Sequence, residues 1–127
     1  MIDISGNTVA LIRRSSDSKV DIARAHVDEE FLLEWCRQKG IVPVDVIHIV
    51  ASLSPQWSRR QEADEWWGLL GYAVSTPDVQ WIAVARYDRV MKHRMFPGWC
   101  RMNRVGVLVA TPDATGNHVR YPVPEWD

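Results

Sequence analysis

Residues Leu11 to Asp17 read LIRRSSD, an aliphatic pair running into two arginines, two serines and an acid. Arg13 and Arg14 carry guanidinium forks whose paired donors match the oxygens of a phosphate or a carboxylate. Ser15 and Ser16 carry hydroxyls, which are weak nucleophiles until alignment and transition-state stabilisation compensate for their high pKa. Phosphoryl transfer suits such groups, because it asks for an aligned attacker and for positive charge around the phosphate oxygens. The plain alternative is a serine-rich turn flanked by solvated strand-end charges.

More cations occur where apolar runs end. Arg59 and Arg60 follow the second run, and Arg86, Asp88, Arg89 and Lys92 follow the third. Arg59 and Arg60 fall in the first turn of an expected helix, where the macrodipole disfavours positive charge by roughly 0.3–1 kcal/mol per exposed residue. A bound anion would remove that conflict, since helix starts and arginine forks both suit phosphate. Surface pairing with Glu62 and Asp64 is the competing reading. His26, His48, His93 and His118 are scattered singly, and Cys36 and Cys100 have neither metal-type spacing nor a disulfide framework. We expect no metal and no cofactor, and no Gly-rich phosphate loop suggests a nucleotide binder.

The elements that must position these groups follow from periodicity. NTVALIRR, residues 7–14, reads as a first strand ending in the turn-prone SSDS. DEEFLLEWCRQKG reads as a helix capped by Asp28 and stopped at Lys39 and Gly40, with Phe31, Leu32, Trp35 and Cys36 on one face. IVPVDVIHIVAS gives a second strand, with Pro43 at its start or on an edge. Ser58 and Gln61 form a capping-box pattern for a second helix whose Ala63, Trp66, Trp67 and Leu70 face the core. The run VQWIAVA is read as a strand covered on both faces, with Trp81 in the core, in preference to a helix begun at Thr76-Pro77-Asp78. DRVMKHRM starts a third helix that Pro97-Gly98 interrupts, NRVGVLVAT forms another strand, and HVRYPVPEWD supplies an edge strand or a strap.

The alternation of strands and helices points to an α/β domain, three layers with a mostly parallel central sheet flanked by helices. Such sheets take ligands beyond the carboxyl ends of their strands, which is where the charged residues collect. With 127 residues, 46% hydrophobic and seven tryptophans among them, the chain is expected to form one globular domain over 1–127. No apolar stretch nears the ~20 residues of a membrane helix, and MIDISGNTV is no secretory signal, so the expected location is a reducing cytoplasm. Fifteen basic against sixteen acidic residues leave a net charge of −1, so any attraction to nucleic acid must be local.

In this order and spacing the motifs resemble the catalytic domain of the serine recombinases, the resolvase/invertase family. That family's first strand ends in an aliphatic or aromatic residue, any residue, Arg, an aliphatic residue, Ser and Thr/Ser before a polar or acidic residue; here stands L-I-R-R-S-S-D. Its third strand runs into Asp-Arg-Leu-x-Arg; here stands D-R-V-M-K. Arg60 followed by Ala63, Trp66 and Trp67 is similar to its intervening helix, and EWCRQKGI and RVGVLVA are similar to two further segments. The likeness covers about residues 7–113.

The resemblance implies metal-independent, site-specific DNA recombination through a 5′-phosphoserine intermediate, within a dimer or tetramer of the full-length protein. It implies Ser15 as nucleophile, Arg13, Arg60 and Arg89 around the scissile phosphate, Asp88 orienting an arginine or assisting proton transfer, and Lys92 at the last arginine position. Ser16 falls on the Thr/Ser position. Several positions depart from the family pattern: Arg14 replaces an aliphatic residue, Lys19 lies near an expected glutamine, and Ala51 stands where an acid ends the second strand. The chain is also expected to lack the long dimerisation helix and the separate DNA-binding domain. These departures motivate a rival expectation of a catalytically impaired resolvase-like fold serving as a binding or regulatory module. A flavodoxin-like phosphate binder is a third reading.

Overall fold

In the computed structural model, residues 6–14, 16–50, 71, 79–87, 100–112 and 114–120 are described. Strand β1 (Asn7–Arg14) lies inside a five-stranded sheet, with β2 (Asp45–Val50) on one side and β3 (Val79–Val84) on the other. Both pairings are parallel, and β3 pairs in parallel with β4 (Gly106–Val109). The two-residue β5 (Val119–Arg120) closes the order β2-β1-β3-β4-β5 as an antiparallel edge strand. The domain is therefore α/β with a largely parallel sheet, as the sequence indicates.

Burial explains why these runs are strands. Val9, Ala10, Leu11 and Ile12 are all buried, although successive side chains point to opposite faces, so both sides of β1 are covered. Residues Trp81 to Ala85 show the same continuity. Each fully buried aliphatic side chain of this size contributes roughly 1.5–3 kcal/mol relative to exposure. A strand buried on both faces has no polar alternation, which is why VQWIAVA can be mistaken for helix on periodicity alone.

The connection from β1 to β2 is α1 (Lys19–Gln38). Ala25, Leu32, Trp35 and Cys36 of α1 pack in one cluster with Ala10, Ile12, Trp81, Ala83 and Leu108 of the sheet. The helix starts well before the expected Asp28 cap: Ser18 is the N-cap, its Oγ accepting the Asp21 amide at 3.2 Å. The residues before Asp28 obscure that start, because Val20 and Val27 are apolar yet exposed and only Ala25 is buried. Phe31 is likewise a correction, since it is exposed while Leu32, Trp35 and Cys36 face the core. The expected stop holds: Gly40 adopts φ +74°, a left-handed conformation that glycine takes without a Cβ clash, and the Ile41 amide returns to the Cys36 carbonyl at 2.8 Å.

Pro43 precedes β2, which is an edge strand among the described residues. The expected helices after Ser58 and from Asp88 lie outside the described residues, apart from helical Gly71 and a helical stretch at 100–103. Trp81 is buried as expected, while Trp57, Trp66, Trp67 and Trp99 lie outside the described residues. Among the described residues no helix is long and apolar enough to cross a membrane.

Candidate functional site

The chain leaves β1 on one side to form β2 and must return past it to form β3, so neighbouring connections diverge between β1 and β3. In open parallel sheets a crevice opens at such a point, beyond the carboxyl ends of the strands. A cavity of about 210 Å³ lies there, lined by Leu11, Ile12 and Arg13 of β1, Val84, Ala85 and Arg86 at the end of β3, and Asp28 of α1. Ala10 of β1 is in register with Ala83 of β3, and Arg13 and Arg86 each follow three residues further along the chain. Arg13 is half-buried and also in register with Ile49 of β2.

Asp28 supplies the carboxylate of this cavity. Its Oδ1 lies 3.3 Å from Nη2 of Arg86, whose side chain is largely exposed whereas that of Asp28 is only 28% exposed. The next residue, Glu29, holds His48 of β2 at 2.6 Å. Mid-helix carboxylates thus link α1 to β2 and to the segment that follows β3.

Arg14 has a different environment from Arg13, because adjacent strand residues project to opposite faces. Its Nε donates to the Ser16 carbonyl at 3.1 Å and its Nη2 to Oδ1 of Asp17 at 2.7 Å. The Ser16 hydroxyl donates to Oδ2 of Asp21 at 2.6 Å and accepts the Ser18 amide at 3.1 Å. Residues on both sides of position 15 are therefore anchored, through Arg14 on one side and the first turn of α1 on the other.

Of the expected site residues, Arg13 is placed in the crevice; Ser15, Arg60, Asp88, Arg89 and Lys92 lie outside the described residues, as does Arg59. Sequence reasoning misses Asp28 as a site residue because its spacing reads as a helix cap. Once the start is moved to the Ser18-x-x-Asp21 capping pattern, Asp28 becomes a mid-helix position. Arg86 is visible in the sequence as a strand-exit cation, but its partner is not.

The thiols are excluded as rival nucleophiles by their surroundings. Burial pushes Cys36 up to about 11 and Cys100 up to about 12, so both stay protonated near neutrality. Both are free and buried. Among the described residues no group of three or more His, Cys, Asp or Glu side chains could hold a metal ion.

No family model matches the sequence, and no curated protein matches it. A solved structure does match the fold: the C-terminal catalytic domain of ISC1926 TnpA, an IS607-like serine recombinase. The TM-score is 0.61 at 17% sequence identity, over 85% of this chain and 69% of that one. The chain accordingly has the fold of a serine recombinase catalytic domain.

Proposed function

We propose that this chain is a serine recombinase catalytic domain that cuts and rejoins DNA through Ser15. The observation that carries the reading is positional: Arg13 lines the crevice between two central parallel strands, two residues before Ser15, in a fold shared with a recombinase catalytic domain.

In the proposed reaction the Ser15 oxygen bonds to phosphorus as the bond from phosphorus to the 3′ oxygen breaks. The electron pair of that bond leaves on the 3′ oxygen, which gains a proton to balance the one lost by the serine. The products are a 5′-phosphoserine link and a free 3′-hydroxyl, and attack by a 3′-hydroxyl from the exchanged strand reverses the step. One phosphoester replaces another, so no outside energy source is required. Arg13, Arg60 and Arg89 would stabilise the charge on the phosphate oxygens, and Lys92 would add a point charge. Asp88 would orient an arginine or take part in proton transfer.

The partners in this reading are DNA and further copies of the same chain in a dimer or tetramer of the full-length protein. Residues 1–127 would be a single catalytic domain, active in the cytoplasm. With a net charge of −1, this chain alone is expected to hold DNA weakly and with strong salt dependence.

The test is formation of a denaturant-resistant protein–DNA adduct on a nicked duplex. Ser15→Ala abolishes the adduct and leaves the far-ultraviolet circular dichroism unchanged; an adduct that persists in this variant ends the assignment. Lys92 and Ala51, which depart from the family pattern, favour a second reading as a non-catalytic binding or regulatory module. Cleavage of the nicked duplex by the unaltered chain rules that reading out.

A further inference from the structure

We propose that the cavity between β1 and β3 is a phosphate-oxyanion site in which Arg86 is the binding fork and Asp28 the carboxylate that holds it until an anion displaces it. The site shares Arg13 with the catalytic set, but neither Arg86 nor Asp28 belongs to that set. The identity of the anion as a DNA phosphodiester rests on the recombinase reading; the existence of the site does not.

Three observations support it. Arg13 at the end of β1 and Arg86 just beyond the end of β3 line the same cavity, so two arginines border one space. At about 210 Å³ that space is more than ten times the roughly 10–15 Å³ that holds one water, and it accommodates a tetrahedral anion. The contact that occupies Arg86 is loose: a single approach of 3.3 Å, against the ~2.7–2.9 Å of a well-formed charge-assisted bond. The Arg86 side chain is 69% exposed, so solvent screens its attraction to Asp28 and little is lost on release.

A phosphate has what Asp28 lacks here, several oxygens that can meet two forks at once. Asp28 then acts as a competitor. It occupies Arg86 when no anion is present, and its negative charge in the cavity opposes a bound anion. Removing that charge should strengthen anion binding, and removing the Arg86 fork should weaken it. A purely structural ion pair has no reason to give opposite signs for its two partners.

The experiment titrates the ¹⁵N-labelled chain with inorganic phosphate, then with a 20-base-pair duplex. Phosphate is expected to shift the resonances of Arg13, Asp28 and Arg86. Asp28→Asn should tighten phosphate binding about 3–10-fold, Arg86→Gln should weaken it by at least about 5-fold, and Arg86→Lys should fall between. Phosphate affinity that is unchanged in Arg86→Gln, or that falls in Asp28→Asn, overturns the proposal; Arg86 is exposed, so its variant provides a test even where Asp28→Asn unfolds. On the duplex, Arg86→Gln should reduce the slope of log affinity against log salt by about one phosphate contact. An unaltered slope with a responsive phosphate site supports the anion site and assigns it to a free phosphate group. Loss of the recombinase reading has its own signature, a responsive phosphate site with no Ser15 adduct.

Discussion

The Ser16 hydroxyl donates a 2.6 Å hydrogen bond to Oδ2 of Asp21, five residues away on the first turn of α1. The same oxygen accepts the Ser18 amide, so one side chain fixes both the turn after β1 and the start of the helix. If Ser15 attacks phosphate, the anchoring of Ser16 next to it in the chain bears on the reaction. Ser16→Ala should therefore slow adduct formation by about tenfold, through loss of alignment. Stability should fall by about 1 kcal/mol, since a part-exposed bond to a carboxylate is at the weaker end of its class. Single-turnover cleavage and urea unfolding measure the two effects, and an unaffected cleavage rate would remove Ser16 from a positioning role.

Arg13 can be tested separately from the nucleophile. Arg13→Lys keeps the charge but loses the planar fork. The expected outcome is a fall of about 10²-fold or more in the cleavage rate, in line with the ~10²–10³ lost when a transition-state donor is removed. Cleavage of a nicked duplex under single-turnover conditions measures it, and an Arg13→Lys variant as fast as the parent would mean that the crevice does not meet the reacting phosphate.

The face of α1 gives a stability prediction in which adjacent residues behave oppositely. Leu32 is fully buried in the cluster with Trp35 and Ala10, so Leu32→Ala should cost about 2–5 kcal/mol. Phe31 is 42% exposed, and Phe31→Ala should stay within about 0.5 kcal/mol of the parent. Denaturant titration distinguishes the two. Equal losses would place Phe31 in the core after all.

That pair also shows how far the sequence can be read. The strands are legible because their signal is local and redundant: Val9 to Ile12 and Trp81 to Ala85 are apolar at every position, whichever face each one takes. The stop of α1 is legible because Gly40 marks it chemically. Its start is not, because the first half of the helix exposes Val20 and Val27 and buries little, so the apolar stripe only becomes regular beyond Asp28. The cations that follow apolar runs are legible by type, and Arg13, one of them, lines the crevice. The closeness of Asp28 to Arg86 depends on how α1 is rotated over the sheet, and with the helix start misplaced no spacing rule recovers it.

The cysteines give a pH dependence of known sign. Burial raises Cys36 from 9.0 to about 11, so between those values the unfolded chain ionises its thiol while the folded chain keeps the proton. The stabilisation is complete below pH 9.0 and is lost as pH rises through the folded value of about 11. One such group contributes a fall of about 1.4 kcal/mol per pH unit within its window. Cys36→Ala should flatten the stability profile above pH 9, relative to the parent, and urea titrations at about pH 8, 9 and 10 would reveal it. Parallel profiles would mean that Cys36 is open to solvent.

Arg13 and Arg14 are neighbours in sequence, yet the pleat of β1 sends one toward the crevice and the other toward the approach to α1. Deleting a single residue upstream in this strand would turn Arg14 toward the crevice and draw Arg13 back to the buried place of Ile12. Natural variation in this protein should consequently preserve the count of residues from Asn7 to Arg14 as strictly as it preserves Arg13 itself.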